Sequence, residues 1–281
     1  MSASRGQIWF DALTSNASNE RSASGNEGNE GNEGPIRSAD APLGDTSARF
    51  ITVVPDPHNR FPRATDNVVG LEQGWLLARA VRNAMEADRD APVKRPIVAI
   101  VDVKSQAYGR REELLGVHLA CAAGVDAYAS ARLAGHPVIA LIVGPAMSGA
   151  FLAHGYQANR IIALDADGIA VHAMGKEAAA RVTRRSVEGL DELGDRVLPM
   201  SYKISAYAKL GLLHELIARI NADTPGHEDI ERVRGSLIAA IEDTRKGPRD
   251  LSSRLQSADA KRIRAASIEV RKRMAEQWDA S

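Results

Sequence analysis

Residues 136–164 read HPVIALIVGPAMSGAFLAHGYQANRIIAL: an apolar run, a cluster of small residues, then a second apolar segment. The pattern predicts a buried strand at 137–143, a tight turn, a short helix and a further strand at 160–164. Backbone N–H groups at the start of a helix have no partners inside it, and the helix dipole adds partial positive charge beside them. Small residues at Ser148, Gly149 and Ala150 let a ligand approach that main chain. The chemistry such a turn suits is stabilising an oxygen that gains negative charge, as a thioester oxygen does when an enolate forms.

Other candidates surround it. Gln106, Tyr108 and Gly109 follow the apolar run 97–103 and fall at the same carboxyl edge of the expected sheet, where ligands collect in open α/β sheets. Gln106 would donate a hydrogen bond to a carboxylate, and Tyr108 would supply a proton; an ordinary polar loop is the alternative. Ser148 could act as a nucleophile, but Ala146-Met147-Ser148-Gly149-Ala150 lacks the flanking glycines of a nucleophile elbow and no Asp–His pairing is evident. His154 and His172 titrate near neutrality as free imidazoles, and either is a proton donor or a histidine bonded within the fold. Lys176, at the expected start of a helix with Gly175 before it, and the pairs Arg110-Arg111 and Arg184-Arg185 suit carboxylates or phosphates, or else form solvated faces. The basic runs 261–262 and 271–273 are read the same way, with an acidic carrier protein as the alternative. The seven histidines show no metal-ligand spacing, so no metal site is expected.

Positioning these residues requires alternating elements. A strand is expected at 48–54 and an amphipathic helix at 69–88, where Leu71, Trp75, Ala78, Val81 and Met85 recur at helical spacing. A strand buried on both faces at 97–103, a helix at 110–133 and a strand at 169–173 come next. The last third reads as helices at 202–217, 227–246 and 258–278. This order gives an α/β fold with a mainly parallel sheet, crossover helices and a helical C-terminal part. Residues 1–13 read as an N-terminal anchor segment. Residues 14–45, with Gly-Asn-Glu three times over at 25–33, read as a flexible low-complexity loop. Residues 46–281 form one domain.

Composition sets the bounds. Lys plus Arg and Asp plus Glu number 36 each, which removes any bulk electrostatic case for nucleic acid or an anionic membrane. Cys121 is the only cysteine, so no intrachain disulfide can form. With no apolar leader and no apolar run near the ~20 residues that cross a bilayer, a cytoplasmic protein is expected.

Gly144-Pro145-Ala146-Met147-Ser148-Gly149-Ala150 resembles the strand-turn-helix signature of the crotonase superfamily. Within it, Val101-Asp102 followed by Gly109 and Glu113 resembles a loop of the carboxyltransferase branch. Ile169-Ala170-Val171-His172-Ala173-Met174-Gly175 resembles that branch's Ile-Ala-Val-Met-Gly strand with two residues inserted. Residues 6–13, 102–113 and 171–176 are similar to the gamma subunits of biotin-independent malonate decarboxylases. The resemblance implies a crotonase/ClpP-like fold, pairing with a carboxyltransferase-like beta subunit, and decarboxylation of a malonyl thioester to an acetyl thioester and carbon dioxide. The thioester would be carried on a CoA-like arm of an acyl-carrier protein, with no biotin. It also implies a donor pair at Gly149 and Ala150, facing either the thioester oxygen or the malonyl carboxylate, and Arg110, Lys176 and His172 toward the carrier's arm. A non-catalytic scaffold subunit and a serine hydrolase using Ser148 are the alternatives.

Overall fold

The computed structural model describes residues 3–21 and 34–279. In chain order the elements are α1 (Arg5–Arg21), β1 (Ile36–Leu43), β2 (Thr46–Val53), β3 (Val68–Val69), α2 (Leu71–Ala87), β4 (Ile97–Val103), β5 (Ser105–Gln106), α3 (Arg110–Leu114), α4 (Val117–Leu133), β6 (Val138–Met147), α5 (Ser148–Ala153), β7 (Arg160–Leu164), β8 (Val171–His172), α6 (Lys176–Thr183), α7 (Val187–Arg196), α8 (Ile204–Lys209), β9 (Glu215–Ile217), α9 (His227–Lys246), α10 (Ala258–Ile263) and α11 (Ala265–Asp279).

All seven positions of β4 and all five of β7 are buried, as continuous Ile/Val/Ala/Leu runs require when helices cover both faces. The sheet runs β1-β2-β4-β6-β7-β9, with β8 added beside the end of β6. Among the described strands of this sheet only β1 and β2 pair antiparallel and the rest are parallel, with one isolated antiparallel bridge from Ala170 to Lys203, so the expected mainly parallel sheet is present. A small parallel pair, β3 with β5, forms a separate two-stranded sheet just after the end of β4. Trp9, Phe10 and Leu13 of α1 are buried in the main core, with the Trp9 indole N–H donating to Ala222 O at 3.0 Å. Among the described residues no helix is long and apolar enough to cross a membrane.

Charge closes the opposite edge. Asp40 accepts from both Arg49 and Arg95, and Arg95 also pairs with Asp88 at 2.6 Å. Burial opposes ionisation of Asp40, but the two guanidiniums outweigh it and hold the carboxyl below its ordinary range.

Several expectations need correction. The span 14–45 is not all loop: α1 continues to Arg21 and β1 occupies Ile36–Leu43. As an edge strand, β1 buries only Ile36, Ala41 and Leu43 and tolerates Pro42, so it carries little apolar signal. The repeat at 25–33 lies outside the described residues. The helix expected at 110–133 is two helices, because Gly116 adopts φ +84° between them. The strand expected at 169–173 shortens to Val171–His172, and 202–217 holds the short α8 followed by strand β9. The helix expected at 258–278 divides at Arg264 into α10 and α11. The helix expected to start at Lys176 is present as α6, whereas α7 was not anticipated; the few apolar residues of the two make a separate small cluster of Ala179, Ala180 and Leu190.

Helices α2 and α4 meet through Gly74, where an added Cβ would lie 2.4 Å from the Ala120 carbonyl oxygen. Gly74→Ala should therefore cost about 1–3 kcal/mol of stability in urea unfolding. Gly235→Ala, within α9 and with nothing inside 4 Å, should be neutral or stabilising by up to ~1 kcal/mol. Equal effects at the two positions would contradict the close helix contact.

Candidate functional site

Strand β6 ends at Met147, and Ser148 turns the chain with φ +57°, a left-handed conformation costly for a residue with a side chain. Helix α5 starts there. The N–H groups of Ser148, Gly149 and Ala150 occupy its first turn and cannot reach carbonyls inside it. The Gly149 N–H instead donates to Gln106 Oε1 at 3.0 Å. Ala150 is buried, and Ser148 and Gly149 are half-buried. Helix α4 presses on α5 from behind, with a Cβ at Gly124 falling 2.9 Å from the Ala153 carbonyl.

Gln106 is held by its own main chain. It pairs with Val69 in the β3–β5 ladder, and its carbonyl accepts from the Tyr108 N–H at 3.0 Å and the Ser105 hydroxyl at 2.9 Å. On the other flank β8 pairs with the end of β6, Ala146 against Val171 and Met147 against His172. The turn therefore lies between Gln106 and His172. The His172 ring stacks on Tyr202, with centroids 4.0 Å apart, and its Nδ1 accepts from the Met174 N–H at 3.2 Å. Burial lowers the His172 pKa, partly offset by the Met174 carbonyl oxygen 3.1 Å from Nδ1, which favours the protonated ring. Tyr202 donates its hydroxyl to the Met174 carbonyl at 2.8 Å, and the Lys176 ammonium sits 5.5 Å from the Tyr202 ring centre while pairing with Asp191 at 2.7 Å. A cleft of about 230 Å³ opens beside this group, lined among others by Lys176, Asp191, Asp195, Tyr202 and Lys203. Ser148 and Gly149 do not line it.

The structure thus brings Gln106, Ser148 and Gly149 together, with His172 one strand away and Lys176 beyond it. Tyr108 is 55% exposed and Arg110 is exposed on α3, which Gly109 precedes. Arg111 packs over Phe61, with 5.7 Å to the ring centre, and Arg184 and Arg185 follow α6. Neither histidine serves Ser148. His154 is fully buried, donating from Nε2 to the Ile100 carbonyl at 2.9 Å and accepting from the Tyr128 hydroxyl at 3.0 Å. The Cys121 thiol is pushed up to about 11, by burial first and then by Glu113. No group of three or more His, Cys, Asp or Glu that could hold a metal occurs among the described residues.

Sequence reasoning missed the positioning role of Asp102. Its Oδ2 accepts from the Gly6 N–H at 3.0 Å and from Asn67 Nδ2 at 2.9 Å, tying the start of α1 and the approach to β3 to the end of β4. Across the sheet, a Cβ on Gly144 would lie 2.2 Å from Asp102 Oδ1. Burial raises the Asp102 pKa against the pull of the Gly6 N–H. The available signal was one carboxylate inside an otherwise apolar run.

The family model for the malonate decarboxylase gamma subunit, MdcE, matches residues 64–278. The Pseudomonas malonate decarboxylase hetero-tetramer, solved in complex with coenzyme A, contains a chain 54% identical over 98% of this chain and 100% of that one, with TM-score 0.89. The MdcD-MdcE hetero-dimer from Pseudomonas gives 52% identity over 98% and 100% of the two chains and TM-score 0.86. The malonyl-S-ACP:biotin-protein carboxyltransferase MADD of Malonomonas rubra is 32% identical over 73% of this chain and 68% of its own. At 18% identity and TM-score 0.56, over 76% of this chain and 36% of that one, the transcarboxylase 12S core shares the fold. The crotonase-type carboxyltransferase fold expected from the turn is therefore present.

Burial of His154 makes stability depend on pH. Desolvation lowers its pKa from 6.5 to about 4 in the folded state, so the unfolded chain takes up the proton first. Stability is complete above pH ~6.5 and falls as pH drops toward 4, by roughly 3 kcal/mol from this group. His154→Gln, which keeps a donor and an acceptor, should make that slope markedly shallower in denaturation measured from pH 7 to 4.5. An unchanged slope would remove His154 as its source.

Proposed function

The chain belongs to the malonate decarboxylase gamma-subunit family, and from that premise we propose that it supplies one half of a decarboxylase site shared with a beta subunit, as MdcE accompanies MdcD in the Pseudomonas hetero-dimer. The substrate is a malonyl thioester on the CoA-like arm of an acyl-carrier protein; the name of MADD and the coenzyme A of the Pseudomonas complex support that class. No biotin takes part, and the reaction runs in the cytoplasm.

Breaking the bond to the carboxyl group releases carbon dioxide and leaves its electron pair in an enolate, with charge on the thioester oxygen. Protonation at carbon then gives the acetyl thioester. Main-chain N–H groups fixed before the reaction lower the barrier because they need no reorganisation as charge develops. The observation that carries this reading is the oxygen already held by the Gly149 N–H at 3.0 Å. It is a neutral carboxamide oxygen, which resembles a thioester carbonyl more than a carboxylate. Gly149 and Ala150 therefore serve the enolate oxygen, and the carboxylate is oriented elsewhere, where gripping it hard would only stabilise the ground state. Ser148 and Gly149 line neither the cleft beside Tyr202 nor the one beside Arg5 and Asp223, which fits a site whose remaining walls come from the partner. Arg110, Lys176 and His172 are assigned to the carrier's arm, with Lys176 exchanging Asp191 for a phosphate.

Carbon dioxide release from malonyl thioester tests the proposal. The chain alone should release none, and adding the beta subunit should restore turnover. Gly149→Val in the assembled complex should lower turnover by about 10²–10³-fold, the usual loss of one such donor, while Ser148→Ala should stay within about tenfold. Full turnover of Gly149→Val in a normally assembled complex would establish a scaffold subunit instead, and abolition by Ser148→Ala would establish a serine nucleophile.

A further inference from the structure

The chain contains two instructive glutamines. Gln73 is fully buried and bonded at both ends of its carboxamide: Oε1 accepts from the Gly70 N–H at 3.1 Å and Nε2 donates to the Ala64 carbonyl at 3.0 Å. That is a fixed structural side chain. Gln106 is bonded at one end only. Its Oε1 covers the Gly149 N–H at 3.0 Å, its Nε2 has no acceptor among the described residues, and the side chain is half-buried. The three carboxamide atoms Oε1, Cδ and Nε2 would lie 3.2, 3.4 and 3.7 Å from a Cβ placed on Gly149, so the whole group lies over the donor.

We propose that Gln106 is an exchangeable cap: its carboxamide occupies the Gly149 N–H in the empty site and yields it to the acyl oxygen by rotation of one side chain. The cap rests on the proposed role of Gly149 as a backbone donor to the substrate. Gln106's main chain stays put, held by the β3–β5 ladder, the Ser105 hydroxyl and the Tyr108 N–H, so exchange requires no loop opening and is fast. An N–H that water cannot freely reach is unfavourable without a partner, and the cap gives the half-buried Gly149 N–H one between turnovers. It also sets affinity, because the apparent dissociation constant rises as the uncapped fraction falls. Gln106 is thus a positioning residue that tunes how tightly the thioester oxygen binds.

The test uses the complex assembled with its beta subunit and reads the Kd for an acetyl thioester, which lacks the malonyl carboxylate, by calorimetry. Gln106→Ala removes the competing oxygen, and Gln106→Asn withdraws it by one methylene. Each should tighten binding about three- to tenfold, the value of one net hydrogen bond. Gln106→Glu places a charged acceptor on the same N–H, a stronger bond, and should weaken binding at least tenfold at pH 7. A purely structural Gln106 would move all three variants in the same direction, toward weaker binding. Unchanged or weakened binding in both the Ala and Asn variants overturns the cap. Gly149→Val measured in parallel separates the two claims. If it keeps full turnover, the donor reading itself has failed; if it loses turnover while Ala and Asn do not tighten binding, only the cap has.

Discussion

The position of one strand decides everything at this site. β6 is bonded on one side to β4 and on the other to β7, then to β8 once β7 has ended. Held this way, with nearly every residue buried, its last residue cannot drift. The reversal at Ser148 is then imposed by the packing of the next helix. α5 must sit beneath α4, where Gly124 permits close approach, and only a left-handed residue at 148 turns the chain that sharply. The strain is tolerable because the sheet over-determines it. The orientation of the Gly149 N–H is therefore a property of the sheet, not of a loop.

Burial keeps the reactive side chains nearby out of the chemistry. His154 and Tyr128 bond each other in the core, and burial pushes the Tyr128 phenol up and the His154 imidazole down, so both stay neutral. Cys121 remains a thiol for the same reason. Asp102, a buried carboxylate of β4, accepts at Oδ2 from Gly6 and Asn67 and ties the strand ends together. In the proposed function, the groups at the reacting oxygen are the main chain of the turn and the carboxamide over it. Fixed dipoles are well suited to a reaction whose only electrostatic demand is charge accumulating on one oxygen.

The buried parallel strands could be read from sequence because a strand covered on both faces must be a continuous apolar run, and β4, β6 and β7 are such runs. Long amphipathic helices were readable for the same reason: α2 was expected within two residues of where it lies, and α9 at its observed ends. Elements stabilised by context were not. β1 is an edge strand whose identity comes from pairing with β2, and β9 has three residues whose bonds come from β7. Helix α7 shares a small cluster with α6 in place of a stripe facing the main core. At the site, the turn was readable as a cluster of small residues. The Gln106–Gly149 bond was not, because it joins residues 43 apart in sequence and depends on a two-strand ladder too short to leave a pattern.

That distance in sequence also explains how the two flanks of the site are coordinated. Gln106 and His172 lie on short strands, β5 and β8, that contribute little to the core but are registered, through β3 and through the end of β6, to the same few residues around the turn. Each flank therefore places one polar side chain beside Ser148 without a long loop. The Gln106 flank rests on the β3–β5 ladder, the Tyr108 N–H and the Ser105 hydroxyl. The His172 flank is built on stacking with Tyr202 and on the Lys176–Asp191 pair, beside α6 and α7 with their separate core. The first flank is positioned by strand pairing up to its side chain, whereas the second depends on side-chain stacking and one ion pair. In the proposed function, the reacting oxygen falls on the flank held by main-chain pairing and the carrier's arm on the flank held by side chains.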